Sequence, residues 1–155
     1  MKPDIGMTEE QCLKSAAMLN VLLADEYVLY TQTLNYHWNI KSHHFDAMHA
    51  FLKDQYEDLF VFVDDVAERA RALGHPALGT LQEFLAATCL VEIHGAALEE
   101  LDMIENLLHN HEAIIRSLRA DIETSTRNND AGTNNFLSDL IMKHEKMAWM
   151  LRSFL

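Results

Sequence analysis

Residues 45–74 read FDAMHAFLKDQYEDLFVFVDDVAERARALG. Phe45, Leu52, Leu59, Val66 and Leu73 fall at steps of seven. Met48, Tyr56, Val63 and Ala70 fill the alternate positions. This is the period of a helix with one face turned to a core. It predicts a helix from about His44 to Leu73, closed by Gly74 just past the C-cap.

The same period recurs on both sides. A first helix is predicted from Thr8 to Trp38, opened by a Thr8–Gln11 capping box. Its stripe is Leu13, Ala17, Asn20, Ala24, Tyr27, Thr31, Leu34 and Trp38. A third is predicted from Glu92 to Ile122, carrying Ala97, Leu101, Ile104, Leu108, His111, Ile115, Leu118 and Ile122 in line. A fourth is predicted from Thr133 to Phe154, with Leu137, Leu140, His144, Met147, Leu151 and Phe154. Residues Thr124 to Gly132 form a polar break. Gly74 to Val91 is too long for a tight turn and suits a crossover, with a short helical piece at Thr80–Ala87. The expected fold is all-α: a single domain over residues 1–155, a four-helix bundle with one long crossover between helices two and three. That is the ferritin-like variant of the bundle.

Composition agrees with long helices. Of 155 residues, 5 are Gly and 2 Pro, and 49% are hydrophobic. Cys12 and Cys89 make no CxxC and no disulfide framework, so they read as reduced thiols in a cytoplasmic protein. No apolar run is long enough for a membrane span. The net charge of -12 repels phosphate backbones and anionic lipids.

Four residues carry possible chemistry: His37, His49, Asp64 and Glu68. Two imidazoles and two carboxylates suit iron or zinc. Asp64 and Glu68 stand at i and i+4, so they share a helix face. His49 lies fifteen residues before Asp64, roughly 22 Å along a straight helix. Metal–ligand bonds are about 2 Å. One chain therefore cannot place all four on one ion. A two-fold partner with its helix antiparallel would bring His37 and His49 of one subunit to Asp64 and Glu68 of the other, twice per interface. Spacing alone leaves the structural reading open, because nine histidines make chance pairs easy and acidic pairs often mark a solvated helix face. No Glu has His three residues on, so an ordinary di-iron centre in the bundle core is not expected.

The stretches Leu22–Tyr30, Asn35-Tyr-His-Trp-Asn39, Phe45-x-x-Met-His49, Asp64-Asp-Val-Ala-Glu-Arg69 and His144-Glu-Lys-x-Ala-Trp-Met-Leu-Arg152 resemble the Dps family of mini-ferritins. The resemblance covers about residues 10 to 154. It implies a hollow dodecamer built from two-fold dimers. It also implies an intersubunit ferroxidase centre, where Fe(II) is oxidised to Fe(III), commonly by hydrogen peroxide, and stored as mineral against oxidative stress. His37, His49, Asp64 and Glu68 match the family's ligand positions. Trp38 then either supports the first ligand or serves as a core aromatic.

One departure stands out. The family usually carries Asp or Glu four residues after the second histidine, and here the residue is Lys53. Its ammonium can oppose a second iron, pair with Asp64 and Glu68 in the metal's place, or extend into solvent, with Glu57 one turn on to offset its charge. The favoured expectation is one retained iron position with slower oxidation. The alternative is a non-catalytic, structural or metal-sequestering shell. The lysine-rich tails that usually bind DNA in the family are missing, so direct DNA binding is not expected. Asp121, Glu123 and Asp130 can line an ion-entry pore or simply a solvated loop.

Overall fold

A computed structural model describes residues 3–93 and 99–155. Five helices follow in order: α1 (Glu9–Asn39), α2 (Phe45–Ala72), α3 (Leu81–Ala87), α4 (Glu100–Arg127) and α5 (Ala131–Arg152). No strand forms among the described residues. The pairs α1–α2 and α4–α5 pack most extensively, and α1 also meets α3 and α4. No helix among the described residues is long and apolar enough to cross a membrane.

The local signals account for most boundaries. Thr8 accepts from the Gln11 backbone N–H while the Gln11 side chain accepts from the Thr8 N–H, so two orphan donors of α1 are satisfied. Gly74 follows α2 with φ +86°, a left-handed conformation that costs glycine little. A Cβ there would come within 2.7 Å of the Pro3 ring. A second capping box, Thr80 with Glu83, opens α3. The crossover is strapped to α1 at two points. Asn20 donates to the Pro76 carbonyl and accepts from the Leu78 N–H. Asp25 accepts from the Thr88 hydroxyl and the Cys89 N–H, both at 2.6 Å.

Three expectations need correction. The buried face of α1 is formed by Cys12, Ala16, Leu19, Leu22, Leu23, Leu29 and Tyr36, together with Ser15, Glu26 and Thr33. Leu13, Ala17, Thr31 and Trp38 of the expected stripe point outward. Polar members in the core disguise the true face. The third bundle helix, α4, begins at Glu100 rather than Glu92. Glu99 takes the extended N-cap conformation, and Glu100 and Asp102 sit in the first turn, where the helix dipole favours acids. His94 and Ala97 lie outside the described residues.

The polar break is also shorter than expected, because α4 continues through Thr124–Arg127. Thr124 and Thr126 donate back to the carbonyls of Ala120 and Ile122, so their hydroxyls are satisfied without leaving the helix. The chain turns at Asn129, φ +56°. Asp130 caps α5 by accepting from the Thr133 N–H, and Arg69 of α2 donates to both Asp130 and Thr133 at 2.9 Å. Asp130 is thus a structural clasp. Burial works against its ionised form, but the Thr133 bonds and the Arg69 charge prevail and hold its carboxyl below the usual value.

Candidate metal-binding half-sites

His37 lies in the last turn of α1 and His49 at the start of the second turn of α2. The short link between these helices brings the rings together, stacked at 3.7 Å between centroids and 21° between planes. Each Nδ1 faces the other residue's backbone carbonyl, both at 2.9 Å. A carbonyl only accepts, so each Nδ1 carries the proton and each Nε2 presents a bare lone pair. This is the tautomer of an Nε2 metal ligand, held by hydrogen bonds at its far nitrogen. Phe45 stacks on His49, and Tyr56 sets its edge against His37 at 5.1 Å. His37 is 7% exposed, so backbone and aromatic walls together fix its ring.

Asp64 and Glu68 project from α2 into solvent one turn apart. Neither makes a hydrogen bond or ion pair with a described residue. Asp64 lines a cleft with Tyr27, Phe60, Val63, Leu81 and Phe84. Phe60 and Leu81 are largely exposed, so acid and apolar groups share one open face. Among the described residues, no three His, Cys, Asp or Glu side chains converge on a single ion position. The structure therefore joins His37 with His49 and leaves the acid pair apart from them. Trp38, 68% exposed, is no core aromatic.

Lys53 extends along its own helix to an ion pair with Glu57. That contact raises the lysine above its ordinary pKa, so it stays charged.

A second histidine pair lies at the bundle centre. His111 of α4 and His144 of α5 meet Nδ1 to Nδ1 at 2.9 Å, and His144 Nε2 lies 2.8 Å from Glu26 Oε1 of α1. All three are 0% exposed. Among the described residues, His111 Nε2 and Glu26 Oε2 have no partner. The apolar stripes of the third and fourth helices place both histidines in the core. Their union with Glu26 was missed, because nothing local marks Glu26 as inward.

The model of the ferritin-like domain family matches residues 16–155. An uncharacterized low temperature-induced protein of Nostoc is 39% identical over 153 residues, 98% of this chain and 86% of that protein. The DNA protection during starvation protein 2 of Bacillus anthracis is 31% identical, covering 89% of this chain and 94% of its own. The crystal structure of the Dps protein from Vibrio cholerae O1, a member of a broad superfamily of ferritin-like diiron-carboxylate proteins, superposes with a TM-score of 0.93. It is 31% identical and covers 99% of this chain and 96% of that one. The chain belongs to the Dps family of mini-ferritins.

Proposed function

We propose that this protein is an iron-oxidising, iron-storing cage that consumes Fe(II) and hydrogen peroxide together and so limits oxidative damage. The observation that carries this reading is the reciprocal bonding of His37 and His49. Two Nε2 lone pairs are held ready for a metal by fixed backbone acceptors. Asp64 and Glu68 of a two-fold partner would complete the shell and make each interface a pair of equivalent sites. The apolar cleft beside Asp64 gives that face a reason to be covered. Twelve chains assembled from such dimers would enclose the ferric mineral in the cytoplasm.

In this reading His37, Asp64 and Glu68 hold Fe(II) in an N/O shell suited to it. The carboxylates stabilise the charge that grows as Fe(III) forms. His49 holds a second iron or orients a water. The Lys53–Glu57 ion pair keeps the ammonium on its own helix, which favours one retained iron position with slowed oxidation over a closed site. The rival is a non-catalytic shell in which Lys53 takes the metal's place. Although relatives are named for DNA protection, the charge of -12 argues against direct DNA binding by this chain.

Anaerobic Fe(II) titration followed by peroxide tests the reading. Saturation near one iron per subunit, then Fe(III) absorbance and retained mineral, is expected. Binding that never saturates, with only background oxidation, would move the protein to the rival. Lys53→Glu separates the two further. A large gain in oxidation rate over a silent parent would mean that lysine had disabled the site.

A further inference from the structure

Three tyrosines lie between the histidine half-site and the acid half-site of the same chain. The His37 ring meets Tyr56 at 5.1 Å, Tyr56 meets Tyr30 at 6.3 Å, and Tyr30 meets Tyr27 at 6.0 Å. Tyr27 lines the cleft that holds Asp64. Phe60 packs on Tyr30 at 5.8 Å and Phe84 on Tyr27 at 4.4 Å, which fixes the rings. Every step of the path is a phenol, a side chain that gives up one electron readily, whereas its walls are phenylalanines that do not. Burial and the neighbouring Tyr27 and Tyr56 hydroxyls raise the Tyr30 phenol above its ordinary pKa, so it begins protonated.

The path matters because of electron counting. Peroxide takes two electrons to become water, and one Fe(II) gives one. A site with a single iron would split the O–O bond by one electron and release a hydroxyl radical. In a two-fold dimer, the histidine half of each chain belongs to one site and its acid half to the other. The tyrosines of one chain then run from site to twin site, which are separated by roughly 22 Å along α2. That gap is too wide for a single electron jump.

We propose that Tyr56, Tyr30 and Tyr27 form an electron relay that couples the two iron sites of a dimer, so that two separated Fe(II) ions reduce one peroxide. This inference rests on the two-chain ferroxidase reading. The sum is 2 Fe(II) + H2O2 + 2 H+ giving 2 Fe(III) + 2 H2O. Peroxide takes one electron from the iron at the histidine half. It takes the second electron, with a phenolic proton, from Tyr56, and the O–O bond breaks to two waters once the other proton arrives from solvent. The Tyr56 radical is refilled through Tyr30 and Tyr27 by Fe(II) at the acid half of the same chain, and a solvent proton restores the phenol. Tyr56 meets the peroxide beside the iron, and Tyr30 and Tyr27 act through Tyr56 without touching it.

The test loads the full-length assembly anaerobically with one Fe(II) per subunit and adds limiting peroxide. It measures Fe(II) lost per peroxide, spin-trapped hydroxyl radical and the freeze-quench electron paramagnetic resonance spectrum. The wild type should lose two Fe(II) per peroxide with almost no trapped radical. Tyr30→Phe removes only a hydroxyl. It should halve that ratio and strand an organic radical that the Tyr30→Phe/Tyr56→Phe double variant lacks, and the double variant should instead release several-fold more trapped hydroxyl radical. Tyr27→Phe should lower the ratio in the same way, a second break that does not depend on Tyr30. A ratio of two with no radical change in both Tyr30→Phe and Tyr27→Phe overturns the relay while leaving the ferroxidase reading intact. A wild type that binds no iron saturably overturns the ferroxidase reading first and the relay with it.

Discussion

The two histidine pairs of this chain share a residue type and almost nothing else. His37 and His49 sit at a helix junction, with both Nδ1 atoms committed to backbone carbonyls and both Nε2 atoms unbonded among the described residues. His111 and His144 sit in the dry centre with their Nδ1 atoms facing each other, so one of those nitrogens carries a proton and the other is bare. Among the described residues, the carboxyl group bonded to this pair is that of Glu26. Backbone anchoring fixes the first pair's tautomers and leaves both Nε2 lone pairs available. Side-chain anchoring makes the second pair's protonation a shared property of three groups and turns its chemistry inward. The first arrangement suits a ligand, and the second ties α1, α4 and α5 together.

The largest expected effect comes from breaking the central network. Glu26→Ala should cost about 3–5 kcal/mol of unfolding free energy, because it leaves the wholly buried His144 imidazole without its carboxyl partner. Chemical denaturation would measure it. Replacing Glu26, His111 and His144 together by leucine should recover most of that loss, since a fully apolar core carries no unpaired group. Equal losses in the single and triple variants would mean that packing, not the polar chain, holds the centre.

Acid should act on the central network through His111. Burial, and then the charge of His144, push His111 well below its ordinary value of 6.5. The unfolded chain takes up a proton there that the native state refuses. Stability from this group is therefore complete above about pH 6.5 and falls as pH drops below it, by about 1.4 kcal/mol per pH unit. Asp121 works the other way. Burial and Asp25 raise it from 3.8 to about 6, so the native state holds its proton better and loses that advantage as pH rises through the same window. Its partial exposure tempers the effect. Denaturation between pH 7 and pH 5 should show a steeper acid loss in Asp121→Asn than in the wild type, and a shallower one in His111→Phe. Identical slopes in all three would remove His111 from the acid response.

Legibility in the sequence follows from range. The Thr8 capping box, the seven-residue steps of α2, the turn at Gly74 and the short helix opened by Thr80 are local patterns, and each stands where the residues place it. The inward face of α1 was misread because Ser15, Glu26 and Thr33 are polar yet wholly buried. Their partners lie on other helices or one turn back on the same helix, as with Thr33 donating to the Leu29 carbonyl. The His37 and His49 positions could be picked out by spacing and resemblance. Their fixed tautomers could not, because those depend on carbonyls brought close only by the α1–α2 junction. The acid pair was legible as i and i+4, and among the described residues no third His, Cys, Asp or Glu joins it at one ion position.

The smallest expected change in stability belongs to the first pair. His37→Ala removes one hydrogen bond, to the His49 carbonyl, and should cost about 1 kcal/mol. The same substitution deletes one of two prepared Nε2 ligands, so saturable Fe(II) binding should disappear while the melting temperature falls by only about 2–4 °C. Glu26→Ala should give the opposite pattern, a large loss of stability with Fe(II) binding retained in the folded fraction. Measuring both quantities on both variants makes the contrast a double dissociation. If His37→Ala instead unfolds the protein as severely as Glu26→Ala, then backbone anchoring at the α1–α2 junction is itself a structural clasp. The tautomers it imposes would then be a by-product of folding rather than a preparation for metal.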